Sequence, residues 1–492
     1  MLKIDFRARH ALYSVDATRR IEHAAQAALP PHTLMQRAGL AVAQLALAIA
    51  PHARRIWIAC GPGNNGGDGL EAALHLQHWG KSPVVTWLGS PGKAPKDAAT
   101  SYGRAVEAGV SFTDTPPQDY DLCIDALLGI GSDHRAPEGR MAHWINLMNA
   151  GPAPVLAVDI PTGLQSDTGA MAQHSVTARH TLSLLTLKPG LFTAHGRDAA
   201  GTVWLDELDT GHNPSVARPI ATPTAWLAGA PDAVARRHAS HKGSFGDVAV
   251  VGGAEGMTGA ALLAASAALY AGAGRVFVGL LDGGSLKVDL SQPELMFRPI
   301  DRLDFKAMTV VCGCGGGDAI RGPLARILAT SAAVVIDADA INSIANDSQL
   351  ETLLLTRGKR LAATVLTPHP LEAARLLGRT AAEVQHDRLA AAQQLAQRFD
   401  CTVVLKGSGT VIAAPGQTPV INPTGNARLA TAGTGDVLAG MVGARLAEGL
   451  AAFTAASQAV YQHGLAAEHW HIDTPLVAGS LARQAPTGAW LD

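Results

Sequence analysis

The stretch Ile56-Trp57-Ile58-Ala59-Cys60-Gly61-Pro62-Gly63-Asn64-Asn65-Gly66-Gly67-Asp68-Gly69-Leu70 decides the fold of the first half of this chain. A continuous apolar run, Ile56 to Cys60, reads as a strand buried on both faces, and Leu70, Ala73 and Leu74 follow at helical spacing. Between them lies a glycine loop at a helix N-terminus, where unpaired N–H groups attract anions and phosphate above all. A glycine turn alone is a weak signal. The six residues Asn64-Asn65-Gly66-Gly67-Asp68-Gly69, at roughly 5% each, recur by chance about once in 10^8 positions. Two amides and a carboxylate are not needed to turn a chain, so the loop predicts a binding site.

Working outward, apolar runs at 56–60, 83–88, 122–124, 155–158 and 182–187 alternate with helical patterns, as in a parallel sheet covered on both faces. Four prolines, Pro214, Pro219, Pro223 and Pro231, interrupt the alternation, and the domain boundary is placed near residue 222. Runs at 248–251, 276–280, 309–311, 333–336, 364–367 and 402–405 then resume it, with Ala-rich helices near 259–271 and 436–446. The expectation is an α/β protein of two domains, 1–222 and 223–492. The first reads as a Rossmann-like three-layer sandwich and the second as a separate α/β/α domain. The glycine loops of the halves differ in spacing and polar residues, so they are not an internal repeat.

Composition sets limits. The chain has 492 residues, 39 basic and 41 acidic, with a net charge of -2. No broad positive field exists to hold nucleic acid or an anionic membrane. The densest apolar stretch, Ala38 to Ala50, is 13 residues interrupted by Gln44, short of the roughly 20 that span a bilayer. Met1 to Arg20 interleaves Lys3, Asp5, Arg7, Arg9 and Asp16 and has no apolar signal core, so a cytoplasmic protein is expected. Cys60, Cys123, Cys312, Cys314 and Cys401 read as reduced, buried thiols; Cys312-Gly-Cys314 is a metal or redox pair only as the minor alternative.

In an open parallel sheet, ligands bind beyond the carboxyl ends of the strands. Three strands of the first half end there in polar residues: Asn64, Asn65 and Asp68; Asp125 with Gly129-Ile130-Gly131-Ser132-Asp133 after it; and Asp159-Ile160-Pro161-Thr162-Gly163. Carboxylates gathered in a partly dry crevice repel one another unless a cation sits among them, and Asn65, Asp125 and Thr162 offer oxygen ligands. The plain alternative is that Asp125 and Asp159 cap helices.

The segment Gly61 to Gly69, with Asp125-Ala-Leu-Leu-Gly-Ile-Gly131, Asp159-Ile-Pro-Thr-Gly163 and Lys188-Pro-Gly190, resembles the NAD(P)H-hydrate epimerase domain as far as about residue 215. The resemblance implies K+ on Asn65, Asp125 and Thr162. It also implies a hydrated nicotinamide nucleotide (the hydrates of NADH or NADPH) held by Asn64, Asn65, Gly66, Gly67 and Asp68, by Gly129, Ile130, Gly131, Ser132, Asp133, His134 and Arg135, and by Asp159. Asp159 would be the acid/base group, with Lys188 beside it. The family usually carries Ser where Thr162 stands.

In the second half, Asn422-Pro-Thr-Gly-Asn426 leads to Ala432-Gly433-Thr434-Gly435-Asp436 and a helix. Gly433 and Gly435 let N–H groups approach a phosphate, and Asp436 stands in the first turn, where a base could deprotonate a hydroxyl. Alternatively Asp436 is a first-turn charge favoured by the helix dipole. Lys406-Gly407-Ser408-Gly409-Thr410 is either a phosphate wrap or a hairpin turn, and His369 in Pro-His-Pro-Leu-Glu372 either meets substrate or serves the fold.

With Lys242-Gly-Ser-Phe-Gly246, Gly259-Ala260-Ala261, Asp337-Ala-Asp339-Ala340 and Thr367 to Glu372, residues from about 236 to 482 resemble the ribokinase-like superfamily and, within it, the ADP-dependent NAD(P)H-hydrate dehydratase. That resemblance implies ADP as co-substrate on Lys406, Gly407, Ser408, Gly409, Thr410 and Gly435, Mg2+ with the nucleotide, and hydrated nicotinamide at Ala260, Gly315, His369 and Asp436. Where many relatives have Gly-Pro-Gly-Leu-Gly, this chain has Gly313-Cys-Gly-Gly-Gly317. The expected protein clears both epimers of the hydrate; a homo-oligomer is expected too. The alternatives are a ribokinase-like small-molecule kinase with a non-catalytic N-terminal nucleotide-binding domain, or a first half that only binds.

Overall fold

Alternating side chains on the strand Arg55–Cys60 explain the layering of the first unit. Ile56, Ile58 and Cys60 join one buried cluster with Leu122, Ile124, Leu156 and Val158, against the helix Thr33–Ile49 and the helix Asn64–His78. Trp57 and Ala59 join another with Cys123, Val155 and Ala157, against Trp144, Ile145 and Met148 of the helix Gly139–Ala150. The period of two thus feeds two cores, one on each face of the sheet. Each fully buried Leu, Ile or Val contributes about 1.5–3 kcal/mol.

The computed structural model describes residues 1–132, 136–211, 220–232, 237–471 and 473–484. The chain divides into two compact units, Met1–Asp5 with His10–Trp226, and Phe6–Arg9 with Leu227–Asp492. Residues 6–9 fold with the second unit: Ala230 N–H donates to Arg7 O, and the Tyr461 hydroxyl donates to Phe6 O at 2.8 Å. No sequence pattern marked them.

In the first unit the strands run Leu2–Lys3, Thr202–Asp206, His180–Leu184, Val155–Val158, Leu122–Ala126, Arg55–Cys60, Ser82–Trp87, Ser111–Phe112 across the sheet. All neighbours are parallel except Leu2–Lys3 on Thr202–Asp206. The winding reverses between strands 55–60 and 122–126, which opens a crevice at their carboxyl ends. In the second unit the order is Met296–Phe297, Arg275–Leu280, Asp247–Gly252, Thr309–Cys312, Ala333–Ile336, Thr364–Leu366, Thr402–Leu405, Val411–Ala413, Val420–Ile421. It is parallel through Thr402–Leu405 and antiparallel in its last two pairs, with its own reversal between strands 247–252 and 309–312. Both units are therefore α/β.

Two local expectations are corrected. The 64–68 stretch is not a loop: the helix Asn64–His78 begins at Asn64, capped by the extended Gly63, and Gly67 N–H already bonds Gly63 O. The glycines make this possible, because a Cβ on Gly66 would lie 2.0 Å from Gly61 O. The run 182–187 stops being a strand at Leu184. Leu185 takes φ 63, Thr186 N–H turns back to Leu184 O, and the Ser183 hydroxyl donates to Thr186 O. That tight turn is what brings Lys188 back beneath the strand ends.

Candidate active sites

Asp159 follows the strand Val155–Val158 in the left-handed conformation, φ 68. Its backbone N–H donates to Leu182 O, and its carboxylate accepts from Leu184 N at 3.2 Å and Ile130 N at 3.4 Å. The Lys188 ammonium, fully buried, also donates to it and is held by Leu184 O at 2.9 Å and Ser183 Oγ at 3.2 Å. A buried carboxylate and ammonium in contact satisfy the demand that buried charges be paired.

Asp159 opens onto a cavity of about 740 Å3 that Asn64, Asn65, Asp68, Gly129, Ile130 and Gly131 also line. That volume is of the size that takes a nucleotide-sized ligand. Of the residues expected to touch substrate, Gly66 and Gly67 are buried instead against Gly61 and Met35. Ser132 closes the 3-10 turn Ile130–Ser132, and Asp133, His134 and Arg135 lie outside the described residues.

Three wall residues carried no local sequence signal. Arg19 and Glu22 come from the helix Val15–Ala28, and Asp97 from the helix Lys96–Glu107. Thr18, at helical spacing from Glu22, bonds the Thr186 hydroxyl at 2.7 Å, which anchors this helix over the crevice. Burial and the Asp159 charge push the Glu22 carboxyl up, and burial with Asp159 and Glu22 holds the half-buried Asp68 well above the usual carboxylate range.

Behind the cavity, Asp125 is fully buried. Thr162 donates to it twice, from Oγ1 at 2.7 Å and from the backbone N–H at 2.8 Å, and Leu127 N–H donates at 3.2 Å. Leu128 N–H donates to Thr162 Oγ1. Neither Asp125 nor Asp159 caps a helix. Burial pushes the Asp125 carboxyl up to about 6 despite those donors. Among the described residues, the buried Asn65 Nδ2 has no hydrogen-bond partner, and the Asn65 amide lies over Gly129.

In the second unit, Asp436 stands in the first turn of the helix Thr434–Ala447, after Gly433 at φ 90. Cys314 Sγ and carboxylate oxygens of Asp337 and Asp436 lie within 4.8 Å of one another. Lys406 Nζ donates to Asp337 Oδ1 at 2.6 Å and the Thr367 hydroxyl at 2.7 Å. Burial opposes the Lys406 ammonium, but Asp337 and Glu372 hold it above its ordinary value. Burial and Asp337 push Asp436 up to about 6. Gly435 lies close to Lys406, since a Cβ there would be 3.4 Å from Nζ. Ala260 and Gly315 are also neighbours, a Cβ on Gly315 falling 2.8 Å from that of Ala260.

Residues 406–410 form the hairpin connection between strands 402–405 and 411–413, with the Thr410 hydroxyl on Gly407 O. His369 caps the helix Pro370–Leu377: its Nδ1 accepts from Leu371 N–H and Glu372 N–H, and Glu372 accepts from His369 N–H. Proline at the first position and Glu at the third complete a capping box. The fold thus uses this histidine, whatever else it meets. All five cysteines are buried and unpaired.

A family described as NAD(P)H-hydrate dehydratase matches residues 248–485, and one described as YjeF-related protein N-terminus matches residues 31–190. The chain is 36% identical to the bifunctional NAD(P)H-hydrate repair enzyme Nnr of Escherichia coli (strain K12) over 478 residues, covering 93% of this chain and 89% of that one. It is 48% identical over 266 residues to the ADP-dependent (S)-NAD(P)H-hydrate dehydratase of Neisseria meningitidis serogroup B, 52% of this chain and 88% of that one. A crystal structure of the ADP/ATP-dependent NAD(P)H-hydrate dehydratase from Bacillus subtilis shares 30% identity over 52% of this chain and 92% of that one, with a TM-score of 0.44. Similarity to the full-length relatives runs through both α/β units, and the chain belongs to the family of bifunctional NAD(P)H-hydrate repair enzymes.

Proposed function

We propose that the first unit interconverts the R and S epimers of hydrated NADH and NADPH, and that the second dehydrates the S epimer with ADP, releasing AMP and phosphate. The observation that carries the reading is the buried Asp159–Lys188 pair opening onto a nucleotide-sized cavity. Epimerisation at the carbon bearing the hydroxyl needs a group that gives and takes a proton. Asp159 does this, and Lys188 fixes its orientation and charge. Asn64, Asn65, Asp68 and residues 129–131 hold the nucleotide around it.

K+ fits the first unit through Asn65, Asp125 and Thr162. A fully buried carboxylate with only neutral donors is the site a cation relieves, and a half-turn of the Asn65 amide would exchange its unpartnered nitrogen for oxygen. K+ supplies positive charge beside the nucleotide; the side chains do the rest. Thr162 retains the hydroxyl that a serine would offer.

In the second unit Asp436 removes the proton of the stray hydroxyl as its oxygen attacks the β-phosphorus of ADP, and AMP leaves. Phosphate then departs with a proton from the neighbouring ring carbon, restoring the dihydropyridine. Lys406 to Thr410 and Gly435 hold the nucleotide, and Ala260, Gly315 and His369 border the nicotinamide. Mg2+ travels with the nucleotide phosphates and offsets their charge. Five buried, unpaired thiols suit a reducing compartment and support a cytoplasmic setting. Incubation with hydrated NADH and ADP tests the reading: the near-ultraviolet absorbance of NADH returns for both epimers. No recovery, with transfer of phosphate to a small alcohol instead, would establish the kinase alternative.

A further inference from the structure

Asp337 and Asp436 bring two carboxylates together in a partly buried place, where like charges repel strongly. Asp337 is pinned through Oδ1 by Lys406 and Thr367. Its Oδ2 accepts from the Cys314 thiol at 3.9 Å, and the same sulfur lies within 4.8 Å of the Asp436 carboxylate. The thiol therefore stands between the two acids. It cannot withdraw: Cys314 is fully buried, between Gly313 at φ 110 and Gly315 at φ 56, and a Cβ on Gly313 would lie 1.9 Å from Asp337 O. Burial and the two carboxylates push this thiol far above its ordinary range, so it stays protonated and available as a donor.

We propose that Cys314 is a positioning residue of the dehydratase site: its S–H, wedged between Asp337 and Asp436, turns toward Asp436 and fixes that carboxylate for the substrate hydroxyl. One Asp436 oxygen engages the thiol, and the other is left to accept the proton. The proposal rests on Asp436 being the base. Around Asp436, Asp337 and Asp339 oppose its ionisation, whereas the thiol and Lys406 favour it; His369, Glu372 and His463 lie beyond, on Lys406.

The test follows dehydration by the full chain, with hydrated NADH and ADP, across the pH range in which Asp436 titrates. Cys314→Ala should lower kcat about tenfold, in line with a lost hydrogen bond to a charged group, with KM for both substrates nearly unchanged. The acidic limb of the kcat profile should move to higher pH. Cys314→Ser, which restores a donor, should return both kcat and the limb toward their original values. Cys314→Val also lacks the donor and overfills rather than empties the site, and it carries the test should Cys314→Ala fail to fold. An unmoved limb and unchanged kcat in the alanine or valine variant would overturn the proposal, as would a serine variant no better than alanine. Asp436→Asn in the same assay separates the two claims: loss of dehydration keeps the base assignment whatever Cys314 does, and full dehydration sinks both.

Discussion

Thr162 Oγ1 stands 2.7 Å from Asp125 Oδ1 and donates to it, while the Thr162 backbone N–H donates to the other oxygen, so one residue clamps both oxygens of a buried acid. The clamp is neutral, and the carboxyl is still pushed up to about 6 by burial. A folded-state value above the unfolded one means that protonation favours the fold. The contribution is present below about pH 4 and is lost as pH rises through about 6. A bound cation competes with that proton. K+ should therefore raise the melting temperature of the first unit by a few degrees above pH 7 and have little effect near pH 5. Asp125→Asn should remove the dependence on K+; a K+ effect that is equal at both pH values would contradict the assignment.

Among the described residues, Lys188 is the cation in contact with the buried Asp159 carboxylate. Lys188→Met should cost about 3–5 kcal/mol, because a charge is stranded, and should slow epimer exchange about 10^2–10^4-fold. Adding Asp159→Asn should recover much of the stability and none of the exchange. Denaturant melts and a chromatographic assay of the two epimers check both halves, and a double variant as unstable as Lys188→Met would refute the pairing argument.

Asp436→Ala should abolish dehydration and leave epimer exchange intact. In the unaltered chain the working form of Asp436 is the carboxylate, so the dehydration rate should rise with pH through about 6 and then level off. A rate that falls over that interval would remove Asp436 from the role of base.

Gly66→Ala should destabilise the first unit by about 1–3 kcal/mol, since its Cβ would enter the contact with Gly61 O. Epimer exchange should fall with it, as Asn64 and Asn65 sit on the same first turn. A melt unchanged from the original would show that the helix start can shift without cost.

Much of this was legible in the sequence because parallel strands are buried on both faces. Ile56 to Cys60, Ala333 to Ile336 and Thr402 to Leu405 are continuous, largely apolar segments closed by Gly61, Asp337 and Lys406, and each lies in a strand. Residues that end strands, such as Asp125 and Asp159, were legible for the same reason. Glu22 and Asp97 were not: each is an ordinary surface-type residue on an amphipathic helix, and only the packing of that helix over the crevice makes it a wall. The start of the helix at Asn64 was missed because glycine favours a loop locally, whereas here close approach to Gly61 outweighs that preference. The role of His369 was written in its Pro-His-Pro-Leu-Glu frame, which is a capping sequence before it is anything chemical.

The left-handed backbone at Asp159 has a genetic corollary. Asparagine tolerates that conformation at least as well as aspartate and differs from it in codon by one base. One transition would therefore keep the backbone of the turn while stranding the buried Lys188 ammonium, so the change that removes the carboxylate also weakens the lobe that carries it.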